Sequence, residues 1–309
     1  MKRFVPVLHS VSYAGVWPGQ ERLSISEFIG RATALGFPAV CLVAKHPHVS
    51  PLFYNKQERK DLKQQLRDAG LDLAALMGYT DFTCGLRQPG IPSAEMNASY
   101  VALLCELCED LGCRFLRIFT GYRLEHLSYD QQYQEVLRGL QLSAEVAQKH
   151  QVTLLLQNHH DVGAHYKEFR WLLQHLQHPN LRAAFDCWSC YLQGAKGEEL
   201  RQAVQSMKQW IAFTTVADYK VFPQFTYQPG MVNYQQQNPP LVRATAPGTG
   251  DLDYPSFFQG LCDIDYRGYV AYEMCAPLEG GGDLQNLDDT ARAFLAYLEE
   301  MNATYGGGS

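Results

Sequence analysis

Eight strand-like segments, each followed by a helix-like segment, alternate along the 309 residues of the chain. Several strands are short apolar runs, such as residues 39–44 and 152–157, which indicates burial on both faces of a parallel sheet. Helix-like segments have start and stop signals, as at Ser24 or Ser26 and at Gly36. Eight consecutive units of this kind predict an α/β fold, a single (β/α)8 TIM barrel.

The predicted strands cover residues 4–9, 39–44, 71–77, 114–119, 152–157, 181–185, 211–216 and 268–272. The predicted helices cover residues 24–35, 56–69, 93–111, 128–150, 166–177, 198–209, 254–262 and 287–301. A doubly wound open sheet is the alternative. A nucleotide-binding sheet of that type would often have a Gly-rich turn after its first strand, and residues 9–15 contain no G-x-G-x-x-G.

The seventh strand is followed by a long connection, residues 219–250, which is rich in Gln, Pro and Tyr. Long loops in compact domains are often functional, so we interpret this one as a lid or a subunit contact. We therefore predict one TIM-barrel domain over residues 1–304, with a long loop insertion after strand 7. Residues 305–309 are predicted to form a flexible tail.

Composition narrows the range of partners. The net charge is −6 and no long basic run occurs, which disfavours nucleic acid. No apolar stretch is long enough to cross a bilayer, and the apolar N-terminal run is too short for a signal peptide, so we expect a cytoplasmic protein without a membrane partner. The nine cysteines argue against a disulfide framework because their number is odd. Cys105 and Cys108 are expected to be buried apolar side chains, and Cys187 and Cys190 lack the second pair of a zinc ribbon.

Active sites of such barrels lie at the carboxyl ends of the strands. Because side chains two residues apart share a face of a strand, Gln157, Asp186 and Glu273 are expected to converge at the barrel mouth. Two carboxylates and an amide oxygen suit Mg²⁺ or Mn²⁺, and a nearby imidazole favours Mn²⁺. The alternative is that each carboxylate is solvated or caps a helix. For His159 and His160 the alternative is a hydrogen bond to a backbone carbonyl.

Four segments at the ends of predicted strands resemble a known family. They read Leu-Leu-Leu-Gln-Asn-His at residues 154–159, Ala-Phe-Asp at 184–186, Gly-Tyr-Val-Ala-Tyr-Glu at 268–273, and Gly-Thr-Gly-Asp-Leu-Asp-Tyr at 248–254. The chain resembles the xylose isomerase-like barrels of the sugar phosphate isomerase/epimerase superfamily. This resemblance implies a divalent metal held by Glu, Asp, His and Glu from strands five to eight, proton transfer on a sugar, and frequent homo-oligomers.

The sequence departs from that pattern at three places. Gln157 stands where the family usually has Glu, and Thr215 and Ala217 stand in place of the His and Lys of a His-x-Lys-Asp run. Ser189 replaces a common His or Asn. Gln157 cannot ionise, so it cannot act as a base.

The leading hypothesis is a divalent-metal-assisted isomerase or epimerase, or a related lyase that forms an enediolate, acting on a sugar or keto-sugar. Mn²⁺ is the favoured metal, with Mg²⁺, Co²⁺ or Zn²⁺ as alternatives. Glu273, His159 and His160 are the predicted catalytic residues, and Gln157, Asp186 and Glu273 the predicted metal ligands. The predicted substrate-binding residues are His9, His46, Arg117, Trp188, Asp218 and Tyr219. A metal-free sugar-binding barrel is the main alternative, and a phosphodiester hydrolase is disfavoured because the substitutions thin the metal cluster.

Overall fold

The computed structural model describes residues 2–88 and 90–306. Its strands are β1 (Phe4–His9), β2 (Ala39–Val43), β3 (Asp72–Met77), β4 (Phe115–Ile118), β5 (Thr153–Gln157), β6 (Leu181–Ala184), β7 (Ile211–Val216), β8 (Asp218–Gln228), β9 (Asn233–Thr245) and β10 (Gly268–Tyr272). Its α-helices are α1 (Ile25–Leu35), α2 (Lys56–Asp68), α3 (Ser93–Leu111), α4 (Tyr129–Lys149), α5 (Tyr166–Leu176), α6 (Cys187–Leu192), α7 (Gly197–Ser206), α8 (Tyr254–Asp263) and α9 (Leu284–Tyr305).

Eight of the strands form a closed parallel barrel in the order β1-β10-β7-β6-β5-β4-β3-β2. Closure occurs where β1 pairs in parallel with both β10 and β2. The predicted TIM barrel is therefore confirmed, and the open doubly wound sheet is excluded because no barrel strand has an unpaired edge. The strand positions agree with the sequence interpretation to within one or two residues at each end.

The barrel interior is packed with inward-facing side chains that are mostly small or unbranched. Ala184 on β6 and Ala271 on β10 belong to this inner cluster, as does Leu155 on β5. A second, larger cluster fills the layer between the strands and the surrounding helices. Because residues two apart share a face, the inner positions of Ala184 and Ala271 direct Asp186 and Glu273 toward the mouth.

Local capping explains where many helices begin. Ser24 before α1, Asn55 before α2 and Ser128 before α4 each form a capping box with the residue three positions later.

All nine cysteines are free of disulfides, and Cys105 and Cys108 are buried on α3 as predicted. In the described part of the chain, no helix combines the length and the apolar character needed to span a bilayer.

The long connection after β7 is not a loop, so that part of the prediction was wrong. It forms an antiparallel hairpin of β8 and β9, which we call the arm. Prolines made the segment look irregular, but the three that fall within β8 and β9 are confined to one interruption of the register. There, Pro223 alone lies opposite residues 238–240, between the pairs Phe222–Leu241 and Gln224–Gln237.

Two further differences concern helices. The short helix α6 was missed, and its start signal is the pair Asp186 and Ser189, because the Asp186 side chain accepts a hydrogen bond from the Ser189 amide. The closing helix α9 continues to Tyr305, beyond the predicted end at residue 301, so the barrel domain includes Tyr305. The rest of the predicted tail, residues 307–309, lies outside the described residues.

Asp218 fastens the base of the arm to the loop that follows it. Its Oδ2 accepts hydrogen bonds from the amides of Gly248 and Gly250 at 2.8 and 2.9 Å. Its Oδ1 accepts one from Tyr219 at 2.9 Å and a longer one from Leu252 at 3.4 Å. Gly250 is required here because a Cβ would lie 2.1 Å from Asp218 Oδ1.

We predict that Asp218→Ala destabilises the protein by about 2–4 kcal/mol, because it leaves several buried amides without an acceptor. Asp251→Ala is the matched control, since Asp251 accepts one exposed hydrogen bond, from Val221, at 2.9 Å. That change should cost about 0.5–1 kcal/mol. Urea denaturation measures both, and equal losses in the two variants would contradict this role of Asp218.

Candidate functional site at the barrel mouth

Glu273 follows β10 and lies at the mouth, where only 8% of the residue is exposed. Its Oε2 is 3.5 Å from Nε2 of His9. His9 is the last residue of β1 and is fully buried. His9 Nδ1 accepts a hydrogen bond from the Val11 amide, so the neutral ring carries its proton on Nε2, facing Glu273. Burial lowers the pKa of His9 well below its usual value, helped by the charges of Arg117, His48 and Lys45. His9 is therefore a neutral donor beside Glu273.

Gln157 lies between the two carboxylates of the mouth. Its Nε2 is 3.0 Å from Asp186 Oδ2 and 3.4 Å from Glu273 Oε1, and all three side chains are buried. The sequence prediction that these residues converge is confirmed. The Gln157 amide meets both carboxylates with its NH₂ group, so it acts as a hydrogen-bond donor at the point of convergence.

This donor set does not match a resident divalent cation. A metal at that point requires oxygen or nitrogen lone pairs, whereas Gln157 presents N–H groups to Asp186 and Glu273. β7 contributes the neutral hydroxyl of Thr215 where the resembled family has an imidazole. Among the described residues, no group of three or more His, Cys, Asp or Glu side chains has a geometry that could hold a metal ion. The geometry therefore gives no support to the expected Mn²⁺ site.

Asp186 has a structural role in addition to its place at the mouth. Its Oδ1 accepts the Ser189 amide at 2.7 Å and so caps α6. The Asn158 side chain fixes the same strand end, because it accepts from the Asp186 amide at 2.7 Å and donates to the Asp186 carbonyl at 3.1 Å. Asn158 was not singled out from the sequence, since nothing in an isolated Asn marks such a bridge.

A narrow cavity of about 10 Å³, with room for no more than one water molecule, lies beside Glu273. His159, Asp186, Thr215 and Glu273 contribute polar atoms to its wall. Trp188 and Tyr219, two predicted substrate-binding residues, also line it. Binding pockets for small molecules are typically about 300–1,000 Å³, so this space is small for a sugar. The rings of Trp188 and Tyr219 are in contact, with centroids 3.9 Å apart.

The two adjacent histidines have different surroundings. His159 lines the cavity, with Nδ1 3.3 Å from Ser189 Oγ and 3.9 Å from Asp186 Oδ2. His160 instead packs between aromatic rings, with centroid distances of 4.0 Å to Phe119 and 4.6 Å to Tyr122. Its backbone is in the left-handed region, at φ 63°, and its ring stays close to that of His159, with centroids 5.0 Å apart. Burial lowers the pKa of His160 to about 3, so its ring is neutral near pH 7.

Arg117 and Lys45 place positive charge at the same end of the barrel. Arg117 is 2% exposed, and its guanidinium carbon lies 3.9 Å from the ring centroid of Phe119 and 4.7 Å from that of Tyr79. Lys45 Nζ lies 3.7 Å from the centroid of the same Tyr79 ring. Burial, followed by the charge of Arg117, lowers the pKa of Lys45.

Two predicted substrate-binding residues, Asp218 and His46, do not line the cavity beside Glu273. Both carboxylate oxygens of Asp218 are occupied by backbone amides, as described above, because the side chain organises a loop. His46 is exposed, and the ring it contacts, at a centroid distance of 6.1 Å, belongs to Phe53. Its neighbour His48 is buried and holds a loop through Ser10 Oγ and the Leu23 carbonyl, at 2.9 and 3.1 Å.

Comparisons with known proteins agree with this architecture. Residues 29–301 match the family described as xylose isomerase-like TIM barrel. The fold is similar to that of the IolI protein with a bound zinc atom, with a TM-score of 0.75 and 13% identity over 99% of each chain. It is also similar to D-psicose 3-epimerase from Clostridium cellulolyticum H10, with a TM-score of 0.72 and 15% identity over 98% of this chain and 99% of that one.

A third similar structure is AsbF from Bacillus anthracis, a probable 3-DHS dehydratase, with a TM-score of 0.70 and 17% identity over 96% of this chain and 99% of that one. A comparison with curated protein sequences gives no significant match. Because the family match extends over most of the barrel, the chain belongs to the xylose isomerase-like TIM barrel family.

Proposed function

We propose that the protein is an enzyme of the isomerase or epimerase type that moves a proton on a small sugar-like substrate at the barrel mouth. The observation that carries this proposal is the environment of Glu273: a buried carboxylate beside a cavity, with a neutral His9 Nε2–H on one side and the Gln157 amide on the other. The epimerase and the probable dehydratase among the similar structures are consistent with proton chemistry on this fold.

Glu273 is the proposed general base. Asp186 is less suited, because one of its oxygens caps α6 and the other accepts from Gln157. His159 lines the same cavity from the end of β5, so it is placed to return the proton. His9 is a positioning residue in this scheme, because its Nε2–H faces the Glu273 carboxylate.

The proposed chemistry assigns proton transfer to side chains and includes no step on a metal. The Mn²⁺-assisted form of the reaction would need a carboxylate or imidazole where Gln157 and Thr215 stand. In this scheme the Gln157 NH₂ group partly replaces a cation, because its partial positive charge lies against both Asp186 and Glu273.

We predict that Glu273→Gln and His159→Asn each lower turnover by about 10²–10⁴-fold, because each removes a positioned acid–base group. The measurement is incorporation of solvent deuterium into a panel of ketoses, aldoses and keto-acids, followed by NMR. His126→Asn is the matched control, since His126 is exposed and does not line the cavity. Saturable binding of sugars without exchange by the wild type would instead support the sugar-binding alternative.

We predict that Gln157→Glu lowers stability in metal-free buffer, because it replaces a donor with a third buried carboxylate. Added Mn²⁺ should restore the stability of that variant and leave the wild type unchanged. Thermal unfolding with and without Mn²⁺ after chelator treatment checks this, with Gln157→Met as the control that removes the amide without adding charge. A wild type that Mn²⁺ stabilises as strongly as the variant would show that the native donor set does hold a metal.

We further propose that the arm mediates assembly of the protein with a second copy of itself. The segment 221–242 contains no charged residue, and several of its large side chains are exposed, namely Val221, Phe222, Phe225, Tyr227, Met231, Val232 and Tyr234. An isolated two-stranded hairpin is only marginally stable in water, so an apolar contact on its outer part would stabilise it. The base of the arm is anchored by an ion pair between Lys220 and Glu279, at 3.1 Å.

We expect the wild type to exceed the 34.9 kDa of one chain in solution, and the triple variant Phe225→Ser, Met231→Ser and Tyr234→Ser to approach it. Light scattering after size-exclusion chromatography measures both masses. Trp171→Ser is the control, because Trp171 is a similarly exposed aromatic residue (53%) on α5. A monomeric wild type at all concentrations, or an unchanged mass in the triple variant, contradicts the proposal.

A further inference from the structure

We infer that Arg117 and Lys45 form a subsite that binds a carboxylate group of the substrate, so that the enzyme acts on an acidic sugar derivative or keto-acid. The inference rests on the proposed function for the identity of the bound molecule as substrate. The mouth would then have a positively charged side, formed by Arg117 and Lys45, and a negatively charged side, formed by Asp186 and Glu273.

The strand register places Arg117 inside the barrel. On β4 it pairs with Met77 of β3 and with Leu155 of β5, and both of these belong to the inner cluster. Its side chain is therefore directed into the top of the barrel, where it reaches the rings of Phe119 and Tyr79. Its charge lowers the pKa values of His9 and Lys45, both located at strand ends of the mouth.

Two of the three guanidinium nitrogens of Arg117, Nε and Nη1, are buried without a hydrogen-bond partner. In the described part of the chain, neither Arg117 nor Lys45 has a carboxylate oxygen within 4.0 Å. Buried charges are normally paired, because desolvation of an unpaired ion costs several kcal/mol. The aromatic faces of Tyr79 and Phe119 offset only part of that cost.

Unpartnered buried polar atoms are concentrated around this cation. Of the eight such side-chain atoms in the described residues, four belong to Arg117, Thr120 and His160, near the ends of β4 and β5. Native proteins leave few buried polar groups unsatisfied, so a group of them at one strand-end cluster indicates a polar ligand.

The arrangement favours a carboxylate over a phosphate. The Phe119 and Tyr79 rings lie beside the guanidinium, at 3.9 and 4.7 Å from its carbon to their centroids. The N–H donors of a guanidinium lie in one plane, and a planar carboxylate can accept two of them in parallel. Lys45, whose Nζ lies 3.7 Å from the centroid of the Tyr79 ring, adds a second cationic donor. A carboxylate held there leaves the rest of the molecule free to extend across the mouth toward Glu273 and His159.

The experiment is calorimetric titration of the purified protein at constant ionic strength with glycolate, with its neutral isostere glycolamide, and with inorganic phosphate. We expect saturable binding of glycolate and none of glycolamide. Arg117→Met should weaken glycolate binding by about 10–100-fold, as expected for loss of a buried charged hydrogen bond. Lys45→Met should have a smaller effect. Lys220→Met is the matched control, because it removes one cation that is already paired with Glu279 on the arm.

Binding of phosphate without glycolate would overturn the carboxylate assignment. Equal affinity for glycolate and glycolamide, no binding of either, or unchanged affinity in Arg117→Met would overturn the subsite itself. If Arg117→Met does not fold, two measurements still test the subsite. They are glycolate binding by Arg117→Lys and the comparison of glycolate with glycolamide in the wild type. Glu273→Gln separates this inference from the proposed function, because it should abolish exchange and leave glycolate binding intact.

Discussion

Parallel closure of the barrel between β1 and β10 determines the positions of the groups at the mouth. The register from Phe4–Gly268 to Leu8–Tyr272 brings the ends of these two strands to the same level, so that His9 and Glu273 become neighbours despite their separation in sequence. Small inward-facing residues such as Ala184 and Ala271 leave room for polar side chains in the next inward layer. Every group in the candidate site depends on this alternation of layers.

Much of this could be predicted from the sequence, because strand alternation is a local property. The convergence of Gln157, Asp186 and Glu273 follows from counting two residues along each strand from an inward-facing position. The role of Asp218 could not be predicted in the same way, because its partners are backbone amides about 30 residues away, near Gly248 and Gly250. His159 lines the cavity and His160 packs against Phe119 and Tyr122, and this difference accompanies a positive φ at His160 that the sequence does not reveal.

The arm shows a different limit of sequence interpretation. Pro223, Pro239 and Pro240 are unfavourable in regular strands, so they obscured a hairpin that otherwise pairs over most of its length. The prolines are tolerated because they fall together in one interruption of the register. Prolines in a strand-like segment therefore do not exclude a hairpin if they can lie opposite one another on its two strands.

The mouth combines two carboxylates joined by an amide with two cations, and among the described residues neither cation has a carboxylate oxygen within 4.0 Å. In a barrel selected only for stability, the unpaired Arg117 would be a defect, since an apolar side chain in its place avoids the desolvation cost. A buried Arg117 beside Phe119 and Tyr79 is explained if a bound anion pairs with its guanidinium and offsets the desolvation cost. The same reasoning applies to Gln157, whose NH₂ group contributes partial positive charge between Asp186 and Glu273 without the full charge of a metal ion. In the proposed scheme Glu273 is the base, oriented from two sides by His9 and Gln157, and it accepts a proton from the substrate.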